Sequence, residues 1–478
     1  MMLLNFPGFD LIATVAIAFL LLMLFLALFE PGLRYRITAP PAAPLESEDF
    51  LRILGALANS TVHRNTRIEV LTNGEVFYDA ELEAIRNAEH NVNIEAYIFQ
   101  KGRVAHRFIE ALADRARAGV QVNLVIDAVG SFATWNEYFE PLTSAGGRVE
   151  WYHPIRLHTL PRINNRTHRE LIIVDGRIGF IGGAGVGDHW MYGRRKSPRW
   201  RDTMFRVEGE AVTELQSTFV ENWVEASGEV LTGMDYFPWL ESAGTSKALV
   251  VDSSPSVGES TRARFLYQTL IASARKSICI ATPYFLPDRS ARKELVRAIK
   301  DRGVKIKIIT PGKKTDHLLT RTSSRRLFGP LLEAGAQIFE YLPAMLHAKV
   351  MIVDDVWSVV GSTNLDNRSF GLNDEVNLAA FDEQLAARLQ EDFARDLADS
   401  LEITYEQWKR RSIFERAHEW LGWVLERQQY GQRTDVRGQC RRSEVRSQKS
   451  EVRGRKSEVR QADAHQSSHL QHSQMPRA

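Results

Sequence analysis

Residues 167–176 read THRELIIVDG, and residues 346–355 read LHAKVMIVDD. His168, Asp175 and Gly182 map onto His347, Asp354 and Gly361 with one constant offset of 179 residues. A period that long is not a solenoid repeat. It predicts a duplicated domain whose two halves are related by a pseudo-two-fold axis. The flanks repeat as well. NVNIEAYIF (91–99) and VQVNLVID (120–127) read as strands, with the helical pattern HRFIEALADRARAG between them. In the second copy KSICIATPYFLPD (276–288) answers the first strand, and RKELVRAIKDRGVKIKIIT (292–310) answers the helix and the strand after it. SAGGRVEWY (144–152) is matched by EAGAQIFEY (333–341). Strands alternating with helices of this length predict an α/β fold, two mixed β-sheet halves with flanking helices.

The copies disagree at one charged position. Two residues past His347 stands Lys349, and two residues past His168 stands Glu170. In an extended strand such residues share a face, so His347 and Lys349 project together and Asp354 closes the strand before a turn. Gly361, Ser362 and Asn364 follow where the next strand returns. This set suits phosphodiester chemistry. A histidine attacks phosphorus or donates a proton, a lysine neutralises non-bridging oxygens, and an asparagine amide adds a hydrogen bond. No carboxylate cluster is spaced for two metals, so a cationic clamp is expected in their place, with no metal and no cofactor.

Around this core the chain is that of an ordinary globular protein, 478 residues with 44% hydrophobic and 25% charged side chains, enough for two to four domains. Cys279 and Cys440 form no disulfide or metal pattern, which points to a reducing compartment. From Gly431 to Ala478 there are eleven Lys/Arg against five Asp/Glu, which leaves the preceding residues at a net −4. A large nucleic-acid surface is therefore not expected. Residues 11–29 carry no charge and have the length of a bilayer span, with Asp10 before them and Arg34 and Arg36 after. They predict an N-terminal transmembrane helix with the remainder in the cytoplasm, against the rival of a cleaved signal. The expected boundaries are an anchor over 1–32, a linker over 33–61, halves over 62–235 and 236–400, a basic amphipathic helix over 401–430 and a disordered basic repeat tail over 431–478.

The stretch LHAKVMIVDDVWSVVGSTNLDNRSFGLNDEVNL (346–378) resembles the second HxKxxxxD motif of the phospholipase D superfamily. TPYFLPD (282–288), EYLPAMLHAK (340–349) and RVEGEAVTELQSTFVENW (206–223) are similar, more narrowly, to bacterial cardiolipin synthases. The resemblance covers about residues 66–400. It implies two phospholipase D-like halves sharing one active site, a phosphohistidine intermediate, no metal, and a phosphatidyltransferase joining two phosphatidylglycerol molecules into cardiolipin and glycerol. It also implies a bacterial inner-membrane location. A hydrolase releasing phosphatidic acid and a non-catalytic lipid-binding paralogue are the alternatives. Oligomeric state is not legible. The catalytic set implied is His168, Asp175, His347, Lys349 and Asp354, with Ser362 and Asn364 toward substrate, and Arg166 is a further substrate-side candidate on this sequence's own reading. Asp202 and Glu375 stand where the family places residues that orient the histidines.

The first copy departs from the family pattern, with Glu170 for lysine and Gly185 for asparagine. Three readings compete. The protein is a dead paralogue; or Arg166 or Arg169 supplies the missing charge; or Glu170 favours protonated His168 as general acid while Lys349 keeps His347 neutral and able to attack. The third is favoured.

Overall fold

A computed structural model describes residues 14–20, 37–156, 159, 162, 164–193, 198–255, 261–316, 318–416 and 419. The chain divides into two compact units, Met1–Pro31 with Gly431–Ala478, and Gly32–Tyr430. Of the first unit, residues 14–20 are described and are helical. Among the described residues no helix is long and apolar enough to cross a membrane. Most of the span expected at 11–29, and all of the tail expected at 431–478, lie outside the described residues.

In the second unit the first copy contributes β1 (His63–Thr72), β2 (Asn91–Ala96), β3 (Gln121–Asp127), β4 (Arg148–Tyr152), β5 (Leu171–Val174), β6 (Ile178–Gly182) and β7 (Thr203–Glu208). The second contributes β8 (Ser246–Ser253), β9 (Ser277–Ala281), β10 (Phe285–Leu286), β11 (Lys305–Pro311), β12 (Gln337–Tyr341), β13 (Val350–Val353), β14 (Trp357–Gly361), β15 (Leu365–Asp366), β16 (Glu375–Phe381) and β17 (Ser400–Glu402). One 15-stranded sheet runs β17-β12-β11-β9-β13-β14-β16-β8-β1-β7-β6-β5-β2-β3-β4. From the centre outward, β1-β7-β6-β5-β2-β3-β4 repeats the order β8-β16-β14-β13-β9-β11-β12. The duplication read from sequence is thus a duplication of topology, with the copies joined back to back through antiparallel β1 and β8. Strands β2, β3 and β4 are mutually parallel, as are β9, β11 and β12, the other pairings within the large sheet are antiparallel, and β10 and β15 form a separate parallel pair.

Helices close over both faces because their apolar residues recur at helical spacing. Arg103–Arg117 buries Val104, Phe108 and Leu112. Its counterpart Arg289–Arg302 starts at Asp288, whose side chain accepts from the Ala291 N–H at 2.7 Å, and ends at Gly303 with φ 70°.

Two expected boundaries are corrected. The linker over 33–61 contains the helix Glu48–Ala58, which buries Phe50, Leu51 and Leu54 in the second copy's core. Phe50 packs edge-on against Trp357 at 5.9 Å, and the Trp357 indole N–H donates to the Leu45 carbonyl at 2.9 Å. Each of those side chains contributes about 1.5–3 kcal/mol, which holds the segment down despite its Pro-rich approach. The stretch 401–430, expected as one helix, opens instead in β17, an edge strand on β12, followed by the short helix Tyr405–Lys409, while the described residues 413–416 and 419 are helical. Residues 420–430 lie outside the described residues.

Candidate active site

His168 and His347 lie in the extended segments leading into β5 and β13, one strand of each copy. The two copies cross-stitch at both places. The His168 backbone N–H donates to the Asp374 carbonyl at 2.9 Å, and the His347 N–H donates to the Arg201 carbonyl at 2.7 Å. The next residue along, in each case, is an acid of the other copy. Glu375, at the head of β16, places both carboxylate oxygens 3.1 Å from His168 Nδ1. Asp202, before β7, places Oδ2 2.8 Å from His347 Nδ1. Each imidazole is therefore oriented by the opposite copy, with Nδ1–H donating and Nε2 left for chemistry.

Around His347 the site is closed. Its side chain is 6% exposed, and Trp200 and Trp190 flank the ring at 5.2 and 5.6 Å. The Trp190 indole N–H and the Thr203 N–H donate to Asp202 at 2.9 and 2.8 Å. Burial pushes the Asp202 carboxyl up, but the hydrogen bond from His347 and the Lys349 cation nearby outweigh it and hold it below its usual range. Burial and then the Lys349 cation depress His347. Lys349 is depressed by its own burial, against the pull of Asp202 and Glu170. The Lys349 ammonium lies 2.9 Å from His347 Nδ1 and 3.3 Å from Nε2. It also donates to the carbonyls of Gly183 at 3.2 Å and His347 at 3.1 Å. His168 is more open, 13% exposed, with Tyr97 packed edge-on at 5.2 Å.

Several expected roles change. Asp175 and Asp354 do not reach the site. They occupy the hairpin turns at the far ends of β5 and β13, with φ of 53°. Asp354 accepts the N–H groups of Arg275, Lys276 and Ser277 at 2.7, 2.7 and 2.9 Å, and Asp175 those of Glu89, His90 and Asn91 at 2.9, 2.7 and 2.9 Å. They are turn clamps, present twice because the hairpin is present twice. The Ser362 hydroxyl donates to Glu375 and accepts the Val376 N–H at 3.0 Å, so it supports the acid behind His168 instead of facing substrate. Arg166, 1% exposed, donates to the carbonyls of Asn165 at 2.7 Å and His153 at 2.8 Å and lies 3.5 Å from Asp127. Arg169 donates to Thr218 O at 2.9 Å and Glu221 at 2.7 Å. Neither arginine replaces the missing lysine. Asn364 remains available, its buried Oδ1 without a protein partner.

Glu170 also differs from expectation. The carboxylate against His168 is Glu375, and Glu170 instead accepts the Ile98 N–H at 3.3 Å with Lys349 as its opposite charge. Burial, only partly offset by that bond and by Lys349, holds its carboxyl well above the usual range. A Cβ on Gly185 would lie 2.8 and 3.0 Å from the two Glu170 oxygens, and one on Gly183 would lie 2.6 Å from Lys349 Nζ. The nearest obstacle at 185 is the Ile98 carbonyl at 2.4 Å, so backbone as well as Glu170 closes that position, and Lys349 reaches across the room above Gly183. Sequence reading missed Tyr97, Trp190 and Trp200, whose only signal was aromatic residues between motifs. Among the described residues no group of three or more His, Cys, Asp or Glu is arranged to hold a metal ion.

The family profile described as "Cardiolipin synthase, PLD-like domain" matches residues 82–223 and 267–397. The chain is 38% identical over 351 residues to the cardiolipin synthase of Oceanobacillus iheyensis, covering 73% of this chain and 72% of that protein. It is 34% identical over 359 residues to cardiolipin synthase 1 of Bacillus cereus, covering 73% and 70%. Among solved structures, phosphatidylserine synthase of Haemophilus influenzae superposes with a TM-score of 0.60 at 16% identity, over 79% of this chain and 97% of that one, a likeness of fold.

Proposed function

The chain belongs to the cardiolipin synthase family of phospholipase D-like proteins, and from that premise we propose how its two histidines divide the reaction. The enzyme is a phosphatidyltransferase that converts two phosphatidylglycerol molecules into cardiolipin and glycerol. His347 Nε2 attacks the phosphorus of the first lipid. The bond from phosphorus to the headgroup glycerol breaks, and His168 Nε2–H gives its proton to the departing oxygen. The lipid is then held as a phosphatidyl-His347 adduct. The terminal hydroxyl of a second phosphatidylglycerol returns a proton to His168, attacks phosphorus and breaks the N–P bond. Lys349 turns from the His347 ring to the non-bridging oxygens, and the Asn364 amide stands beside them.

One observation carries this division: His347 is enclosed, depressed and next to a cation, whereas His168 is open to a departing group. A neutral His347 holds its lone pair where attack needs it. The uncharged segment 11–29, followed by Arg34 and Arg36, is the proposed single-pass anchor, with residues 62–235 and 236–400 as the cytoplasmic catalytic halves of an inner-membrane enzyme. The test is product analysis on doubly labelled phosphatidylglycerol, wild type beside His347→Asn and His168→Asn. Cardiolipin plus glycerol from wild type, no adduct in His347→Asn, and residual adduct from an activated substrate in His168→Asn are expected. An adduct trapped on residue 168 overturns the division, and phosphatidic acid alone overturns the transferase.

A further inference from the structure

Large apolar side chains stand exposed on the first copy's strand-end loops. Phe132 is 75% exposed, Trp135 69% and Ile155 62%. They occupy the loops that leave the carboxyl ends of the parallel strands β3 and β4, the end of such a sheet where ligands are met. Those loops are tied into the site. Ser131 Oγ donates to the carbonyl of Tyr97, whose ring packs on His168, and accepts the Phe99 N–H at 2.8 Å. The Lys101 N–H donates to Thr134 Oγ1 at 3.2 Å, and Arg166 joins His153 to the segment before His168. Lys101, after β2, and Arg156 and Arg162, after β4, are exposed at the same end of these parallel strands. The rim is aromatic and of mixed charge: Lys101 and Arg156 are exposed cations, Arg162 is paired with Glu225 at 3.1 Å, and Glu137 and Glu140 are exposed between β3 and β4.

We propose that Phe132, Trp135 and Ile155 seat this end of the first copy in the headgroup region of an anionic bilayer, so that a phospholipid enters at His168 without leaving the membrane. Aromatic and branched side chains partition into that boundary, and the neighbouring cations are drawn to its negative surface. The proposal rests on the site being a phospholipid transferase site. It also goes further than an N-terminal anchor, because an anchor fixes distance and the rim fixes orientation. At the opposite end of β5 the segment 236–238 lies against the Gly176 turn, and Trp239 beside it is 87% exposed, which provides an internal control.

The experiment uses the full chain in vesicles of phosphatidylglycerol or of phosphatidylcholine. An environment-sensitive fluorophore is attached at F132C or at W239C in a C440S background, Cys279 being buried. Lipids bearing a nitroxide high on the acyl chain should quench the probe at 132 about twofold or more in phosphatidylglycerol, less in phosphatidylcholine, and leave 239 unquenched. Equal quenching at both positions, or none at 132, overturns the rim. In parallel, F132S/W135S/I155S should raise KM for vesicle phosphatidylglycerol about tenfold or more and leave kcat/KM for a monomeric short-chain phosphatidylglycerol within about twofold. Equal loss on both substrates, or on neither, overturns it. A wild type that makes no cardiolipin refutes the reading of the site, while the quenching still decides the rim.

Discussion

Asp202 is 0% exposed and receives three donors, from His347, Trp190 and Thr203, so little freedom is left to it. Asp202→Asn keeps the shape but removes the charge that stabilises the His347 tautomer. We expect adduct formation to fall about 10²–10⁴-fold, read by rapid quench. Glu375→Gln should instead slow proton delivery to the leaving glycerol, and an activated leaving group should rescue it. Glu170 supplies a pH prediction. Its native carboxyl titrates well above the ordinary 4.5, so the native state retains a proton that the unfolded chain gives up. Its contribution to stability is therefore full below pH 4.5 and is lost as pH rises from there through the elevated native value. Glu170→Gln should flatten part of the fall in Tm between mildly acidic and alkaline pH, measured by calorimetry across that range. Glu170→Lys would set a second ammonium beside Lys349, and we expect it to fold only with lowered Tm.

At the scale of elements, the two aspartate turns make the clearest case. Asp354 is 1% exposed, adopts the left-handed conformation that aspartate and asparagine tolerate, and accepts three backbone N–H groups at the start of β9. Asp354→Ala should cost about 2–4 kcal/mol by chemical denaturation, with KM unchanged for the enzyme that folds. Asp354→Asn should recover part of that. The duplicated strands and their helices were legible from sequence because periodicity and the constant offset are local signals. The place of Asp354 at the close of its strand was legible, but the catalytic role carried over with the motif was not its own, because a motif records that two residues travel together and not that both face the substrate. The buried helix Glu48–Ala58 was hidden behind proline-rich residues, although the spacing of Phe50, Leu51 and Leu54 carries it. The crossed pairing of acids and histidines was not legible. Glu375 lies 207 positions from His168 and Asp202 lies 145 from His347, and only the three-dimensional joint between copies brings them together.

For the molecule as a whole, that joint is a continuous sheet through β1 and β8 together with the two bridges at the histidines, Thr167 to Asp374 and Arg201 to Leu346. The covalent connection between the copies passes through residues 228–245, where Val230, Met234 and Trp239 are exposed. A protease site inserted there should give a nicked enzyme whose two pieces co-elute and keep activity within about twofold, because noncovalent contacts hold the site. Either piece prepared alone should be inactive, since each carries a histidine without its orienting acid.

The covalent joining of the copies also has a genetic consequence. In an assembly of two identical chains, any substitution beside the histidine appears on both sides at once. Lysine to glutamate would then remove every ammonium from the centre in one step. Here the alteration is confined to one seat: Glu170 stands in the first copy while Lys349 persists in the second and leans over Gly183. Covalent duplication lets each half vary on its own, so a centre with one ammonium and one carboxyl is open to this chain and closed to any pair of identical subunits.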